Sequence, residues 1–526
     1  MGIKTGVMAM TNLRLKSRFR VAAYLTVVTL FLAGCRVGPV YHVPAASSQP
    51  PPAAYKESPA QSQDSDAWKP AQPQDAMLRG NWWEIYNDQD LNALEDQVNI
   101  NNQNIKVYFQ NFMEARTLIA QARSQLYPTV AIGPSYTRSR SSSNLGNGIA
   151  TTSTTGAVTG SSGQEISLWS LPATASWEPD LWGKVRNTIR EEQYNAQLSA
   201  ADLENERLTE QASLATYYFE IRGQDALQVL YAEVVKADTK ALEIARSGHE
   251  TGVGDQITVE QAGITLQNAQ TALTSLAVAR AQYEHAIAML IGVNPSGFSL
   301  PVKPLNPTAP PIPIGVPSQL LQRRPDIAAA ERNMAAANAE IGIATAAFYP
   351  TLTLSADGGL ESSLFKHLFD WPSRFWSIGP SVSETIFDAG LRRATVNQYV
   401  ATYNADVASY RQTVLAAFQS VEDNLAGVRV LSNEIQQTQE TVNAAQRYVD
   451  LETGRYETGI DPYVDLVTAQ TTLFSDQQTL ASLKIEEMTY SVALIEALGG
   501  GWDTTQLPTP AQVSKKMTKA ETTIQK

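Results

Sequence analysis

Two stretches of this chain share one turn. They are His249-Glu-Thr-Gly-Val-Gly-Asp-Gln-Ile-Thr-Val and Tyr456-Glu-Thr-Gly-Ile-Asp-Pro-Tyr-Val-Asp-Leu, with the Glu-Thr-Gly copies 207 residues apart. A glycine such as Gly459 suits the left-handed backbone at a helix C-terminus. Asp461 reads as the cap of the next helix, with Pro462 in its first turn. Helical tracts run long on both sides. Residues 184–250 contain no proline, and at alternating 4/3 spacing positions 194, 198, 201, 205, 208, 212, 215 and 219 are apolar except Asn205, a coiled-coil seam. At ~1.5 Å per residue such a helix is roughly 100 Å long. The first return helix is expected to end near Gly292. The second long helix is expected over roughly 390–457, returning to about Leu498. The chain therefore holds two copies of one long helical hairpin.

A strand pair precedes each hairpin. Tyr127-Pro128-Thr129 and Tyr349-Pro350-Thr351 each stop a helix, because proline cannot continue one. Val130, Ile132 and Tyr136 then alternate with small or polar residues. Trp169, Leu171, Ala173, Ala175 and Trp177 share one parity near 166–178. Leu352, Leu354 and Ala356, then Trp376, Ile378 and Val382, repeat the pattern. The Tyr-Pro-Thr markers lie 222 residues apart, so the first half carries about 15 more residues than the second, placed in the Ser/Thr/Gly-rich stretch 138–165. An apolar face backed by a small polar one suits a strand between lipid and water. Four strands cannot close a barrel, and open edges are not tolerated in lipid. Two chains would give eight strands with a filled interior; three give twelve and a lumen. The long helices lie outside the membrane, because they lack an 18-residue apolar run. The expected fold is mainly α with a membrane β-barrel: an internally duplicated channel-tunnel with four barrel strands per chain, a 12-stranded trimeric barrel and a long α-helical coiled-coil barrel. The competing reading is an elongated coiled-coil protein with soluble hairpins.

Residues 1–34 read as a signal peptide, with a basic start (Arg14, Lys16, Arg18, Arg20) and an apolar run from Val21 to Ala33 that is too short to span a bilayer. Leu32-Ala33-Gly34-Cys35 resembles the lipobox of bacterial lipoproteins. That implies cleavage before Cys35 and a lipid on it, and Arg36 in place of aspartate favours the outer membrane. Residues 35–80 read as an extended, lipidated strap, 81–300 and 318–502 as the two repeats, 301–317 as a proline-rich linker and 503–526 as a flexible tail. The formal charge of −12 argues against nucleic acid. The four scattered histidines (His42, His249, His285, His367) show no metal-ligand spacing, and the single cysteine excludes an intrachain disulfide. No nucleophile–base pair stands in a recognisable setting. No cofactor is expected apart from the lipid on Cys35, and no enzyme activity.

Taken together, Leu32–Cys35, Gly38-Pro-Val-Tyr41, Trp82-Trp83, Tyr127-Pro128, Trp177–Gly183, Arg323-Arg-Pro-Asp-Ile327, Ala347-Phe-Tyr-Pro350, Phe387–Arg392, Arg455–Gly459 and Leu498–Trp502 resemble the outer-membrane efflux proteins of the TolC/OprM type. The resemblance covers nearly the whole mature chain. It implies a homotrimer in the outer membrane with a long periplasmic helical portion. It also implies docking onto a periplasmic adaptor (a membrane fusion protein) and an inner-membrane RND pump, and export of drugs or other small toxic molecules. Metal efflux or protein secretion through the same duct is the alternative. By resemblance, the second hairpin tip closes the tunnel. Val464 falls at an apolar plug position and Asp465 at one of two acidic positions. The other acidic position is Thr468, and a basic one is Glu457. Tyr456, Asp461 and Tyr463 are the neighbours. Three copies of Asp465 would form a ring of charge, although Asp465 also reads as first-turn helix stabilisation and Val464 as interhelical packing.

Overall fold

The computed structural model describes residues 36–46, 52, 54–57, 80–140, 142, 165–252, 254–304, 309–312 and 317–516. The expected signal peptide (1–34) and Cys35 lie outside them. The chain divides into two compact units. One takes residues up to 42 with 116–194 and 335–404, and holds the sheet. The other takes 43–115, 195–334 and 405–526, and is helical.

The sheet runs through β1 (Thr129–Ile132), β2 (Ser135–Arg140), β3 (Glu165–Trp177), β4 (Thr351–Ser362) and β5 (Arg374–Ser383). All pairings are antiparallel; β1 and β2 both pair with β3, then β4, then β5. Thr129 faces Ser176 and Arg140 faces Glu165 in one unbroken register, so β1 and β2 are a single expected strand interrupted at Gly133-Pro134. The interruption has a chemical cause. Pro172, opposite Gly133, lacks the N–H that would complete that pair, and the Gly133 N–H donating to Pro172 O (3.2 Å) is what remains of the ladder there, while Pro134 faces the open edge. The four expected strands are thus present, at slightly greater length. Register sorts the side chains. Val130, Ile132, Tyr136, Trp169, Leu171, Trp177, Leu352, Leu354, Trp376, Ile378 and Val382 share one face. Ser135, Thr137, Ser170, Thr174, Ser176, Thr351, Thr353, Ser355, Ser377, Ser381 and Ser383 share the other. Val130, Ile132, Ile378 and Val382 are exposed despite being aliphatic.

Three of the four helices in each half repeat with the same length. The chain first forms α1 (Gln89–Asn101), α2 (Gln103–Ser124), α3 (Lys184–Glu250) and α4 (Gln256–Leu290). The second copy is α5 (Pro317–Arg323), α6 (Pro325–Ala346), α7 (Leu391–Glu457) and α8 (Tyr463–Ala497). The long helices have 67 residues in both copies and the return helices 35. Each return helix stops on a glycine with positive φ, Gly292 at 70° and Gly499 at 89°. The Val293 and Gly500 amides reach back to Ala288 O and Ile495 O (2.9 Å each), which satisfies the orphan carbonyls of the last turn. Among the described residues no helix is long and apolar enough to cross a membrane.

The helical tract that leads to β1 is broken. Trp82–Tyr86 is a 3₁₀ turn with both tryptophans buried, and Asn102 separates α1 from α2. Asn102 Oδ1 accepts from Ile105 N, while its Nδ2 donates to Glu210 and to Leu290 O, the end of α4 (3.0 Å each). The second copy places Arg324 at the equivalent break, and its guanidinium donates to Ala497 O at the end of α8 (2.8 Å). At the same two knuckles the chains approach closely. A Cβ on Gly292 would stand 2.7 Å from Asn101 O, and one on Gly499 2.0 Å from Arg323 O. The linker is clasped as well. Asp225 accepts from Arg280 and from Lys303 N, Glu284 accepts from Arg280 and Leu300 N, and Arg222 donates to Pro301 O, all within 2.7–2.8 Å. The tail expected to be flexible from 503 is packed as far as α9 (Pro510–Val513). Val513 is buried, Leu507 lies against Trp502 and Ala328, and Gln197 donates to Pro508 O (2.8 Å). Its two apolar side chains gain by leaving water.

Gly499→Ala adds left-handed strain of about 1–2 kcal/mol to a backbone clash, whereas Gly252→Ala (φ 76°) adds the strain alone, since nothing lies near its Cβ. Thermal denaturation of the purified variants checks this. Gly499→Ala is expected to lower the melting temperature clearly more than Gly252→Ala.

Candidate functional site

The tips where α3 turns into α4 and α7 into α8 share a small core. Ala241, Leu242, Ala245, Ala262, Leu266, Tyr463 and Leu466 are buried together, with Val235, Val259, Tyr456 and Val467 packed on them. The alanines let helices approach closely and the two tyrosines fill the remaining space. Their rings lie 5.5 Å apart at 55°. Tyr463 is 6% exposed, and burial, with Asp238 and Tyr456 nearby, pushes its hydroxyl up to about 12. Burial also raises Tyr456. Asp238 of α3 is buried with one carboxylate oxygen unpartnered, and burial raises it above the usual carboxylate range. Sequence reading missed Asp238, whose position in α3 looks like any other acidic residue on a helix.

Both α3 and α7 end on the expected glycines, Gly252 (φ 76°) and Gly459 (φ 73°). At Gly459 the Ile460 amide donates to Arg455 O and the Gly459 amide to Tyr456 O (2.9 Å each), a Schellman closure. The two tips then diverge. Asp255 caps α4, accepting from Thr258 N (2.8 Å) and Thr258 Oγ1 (2.7 Å). Asp461, expected to cap α8, does not. The cap residue is Pro462, which offers no side-chain acceptor. The cause is a shift of one residue. With the helices in register at 207 residues, Pro462 stands where Asp255 stands, and Asp461 where Gly254 stands. Asp461 is instead gripped by Arg455, through Nη2 to Oδ1 (2.8 Å) and Nε to Oδ2. That forked pair spans the turn, and Arg455 holds the Asp461 carboxyl below the usual carboxylate range. Glu452 is raised, by desolvation first and then by the Asp461 charge. Sequence reading looked for a basic partner at Glu457 and missed Arg455 two residues before it.

The other expected residues face away from the core. Val464 is 53% exposed and Asp465 is exposed as well, on the side of α8 opposite Tyr463 and Leu466. Thr468 turns its hydroxyl onto Val464 O (2.7 Å). The structure therefore brings Tyr456 and Tyr463 into contact and ties Asp461 to Arg455. It leaves Val464 and Asp465 on an open helix face, where a neutral side chain and a carboxylate can meet solute or another chain. Among the described residues no group of three or more His, Cys, Asp or Glu is placed to hold a metal.

Residues 94–293 and 316–500 match the outer membrane efflux protein family. An antibiotic efflux pump outer membrane protein, ArpC, and a toluene efflux pump outer membrane protein, TtgC, both of Pseudomonas putida, are each 31% identical over 481 residues. The match covers 91% of this chain and 95% of theirs. The outer-membrane channel OprN superposes with a TM-score of 0.78 at 25% identity, covering 89% of this chain and all of that one.

Because the hydrogen bonds and the charge of Arg455 lower Asp461, its contribution is complete above about pH 4, the ordinary carboxylate value, and is lost as pH falls through the lowered one. Hydrogen exchange checks this. Arg455→Met is expected to speed exchange of the Gly459 and Ile460 amides at pH 7, whereas the unsubstituted protein loosens there only in strong acid.

Proposed function

Because the chain belongs to the outer membrane efflux protein family, we propose that it is the exit duct of a tripartite efflux system. It would conduct drugs, solvents or other small toxic molecules passively out of the cell. The observation that carries this reading is the sheet. It has one aliphatic and aromatic face, an opposite face made mostly of small and polar side chains with Ile166, Leu168 and Phe375 among them, and two unpaired edges. In hydrocarbon each edge must find a partner, and three copies supply twelve strands with room for a lumen. The chain is thus read as a homotrimer, organised as a lipidated strap (35–80), repeats 81–300 and 318–502, and the joining linker 301–317. Cys35 carries the lipid. A periplasmic adaptor and an inner-membrane RND pump provide delivery and energy, so the chain itself needs no catalysis and no cofactor. Names among the relatives, toluene and antibiotic efflux, support the substrate class.

The gate is assigned to the second tip. Val464 and Asp465 face the axis of the trimer, the Val464 side chains narrowing it and the Asp465 carboxylates forming a ring that favours cations. Tyr456, Tyr463 and the Arg455–Asp461 pair hold that helix start in place. Opening is a population shift of the tip helices, biased by whatever the adaptor contacts.

Two measurements test this. Native mass spectrometry in detergent is expected to show a trimer; a monomer under mild conditions would sink the duct. In planar bilayers Asp465→Ala is expected to reduce cation selectivity severalfold and relieve block by divalent cations, and unchanged selectivity and block would remove Asp465 from the gate.

A further inference from the structure

The charged side chains of the sheet are sorted by face. On the face carrying Val130, Ile132, Leu171, Leu354 and Ile378, the charged strand residues are Arg138, Arg140, Glu165 and Arg374. On the opposite face they are Asp357 and Glu361. The basic residues of the sheet thus all share the aliphatic face, and both acidic residues of β4 share the polar one.

The basic residues are also sorted by height. Helix α2 leads into β1 and helix α7 follows β5, so Thr129 and Ser383 mark the helix end of the sheet. Along β1 and β2 the aliphatic face reads Val130, Ile132, Pro134, Tyr136, Arg138, Arg140. Along β5, read from its helix end, it is Val382, Pro380, Ile378, Trp376, Arg374. Each edge strand passes from aliphatic to aromatic to arginine, and at the helix end of this face the strands carry no basic residue. Ten steps at ~3.3 Å cover roughly 33 Å of strand, and at a tilt of about 40° the rise is about 25 Å, the height of the apolar band of an outer-membrane barrel. The arginines therefore stand where hydrocarbon gives way to headgroups, just beyond a girdle of Tyr136, Trp169 and Trp376. Trp376 is 79% exposed.

Their pairing leaves capacity for a ligand. Glu165 is taken by Arg138. Arg140 has no carboxylate within ion-pair distance among the described residues. The Arg374 guanidinium lies 3.6 Å over the centre of the Trp371 ring, which fixes the plane and leaves the N–H edge free to donate. Guanidinium forks match phosphate oxygens two at a time. Three arginines against one carboxylate give this rim a net charge of about +2, complementary to a diphosphorylated headgroup.

We propose that Arg138, Arg140 and Arg374 form a binding rim for a lipid with a phosphorylated sugar headgroup in the leaflet farther from the helices. Its acyl chains lie along the girdle and the aliphatic band below. This rests on the sheet lying in the outer membrane and on its edges meeting between copies, which sets the β5 edge with Arg374 beside the β2 edge with Arg138 and Arg140.

The full-length protein in detergent is incubated with diphosphoryl lipid A, with its phosphate-free counterpart, or with inorganic phosphate, and read by native mass spectrometry. Diphosphoryl lipid A is expected to stay bound, the phosphate-free lipid to bind at least tenfold more weakly, and inorganic phosphate at 1 mM not to displace the lipid (~ a thousandfold weaker contact for a lone anion, from the missing acyl burial). R138Q/R140Q/R374Q is expected to lose at least tenfold in lipid binding, and the triple Lys variant, which keeps the charge but not the fork, to lose less. Conductance of the same variants is read in parallel. Normal conductance with weakened lipid binding in the triple Gln variant supports the rim, and an unsubstituted protein that binds the lipid but does not conduct counts against the duct rather than the rim. Equal binding of both lipids, wild-type binding by the triple Gln variant, or displacement by inorganic phosphate overturns the proposal.

Discussion

A four-stranded sheet with one apolar face and two bare edges is not a finished structure. In water the apolar face is a liability, and in hydrocarbon the edges are, because each unpaired N–H and C=O there costs several kcal/mol. One arrangement removes both penalties: the apolar face goes to lipid and each edge meets a neighbour's edge. The rest of the chain serves that arrangement. The strands are short enough to cross an apolar band once, and the helices attached to them have no membrane-crossing stretch. What the sheet cannot supply alone, an enclosed lumen, is the quantity on which the proposed function depends.

The duplication is best read at the knuckles. Asn102 and Arg324 interrupt equivalent helices, and each donates to the last carbonyl of the return helix in its own half, across 188 and 173 residues of chain. The geometry has been kept while the chemistry changed from an amide to a cation. A cation is the stronger partner for a helix C-terminus, and an amide can also accept, which Asn102 uses to cap α2. The tips show the opposite outcome. There a displacement of one residue turned an aspartate from a helix cap in the first copy into half of an ion pair in the second.

Most of the fold is legible in the sequence because its signals are local. Val130, Ile132 and Tyr136 alternate, proline is missing from 184 to 250, and Gly252 and Gly459 stop helices wherever they occur. The candidate site is less legible. Whether Asp461 caps α8 depends on where that helix begins, and packing of Tyr463 and Leu466 into the tip core fixes the start one residue beyond its reach. Arg455 is hidden by the turn, which folds six residues of sequence back into contact. Asp238 is invisible because burial, not sequence, makes it unusual. The break at Asn102 is equally invisible, since its partners Glu210 and Leu290 lie more than a hundred residues away.

The two prolines of the first strand pair reach beyond their own ladder. Gly133 faces Pro172, Pro172 faces Gly359, and Gly359 faces Phe375, so one row across all the strands holds two residues without Cβ and one without an N–H. A Cβ on Gly359 would stand 2.3 Å from Leu171 O, so the backbones there are drawn together as only glycine permits. Such a row is a fold line. Curvature is cheapest along it, and when the edges are joined the strands can bend along this one row, leaving the rows on either side nearer to an ordinary twisted sheet.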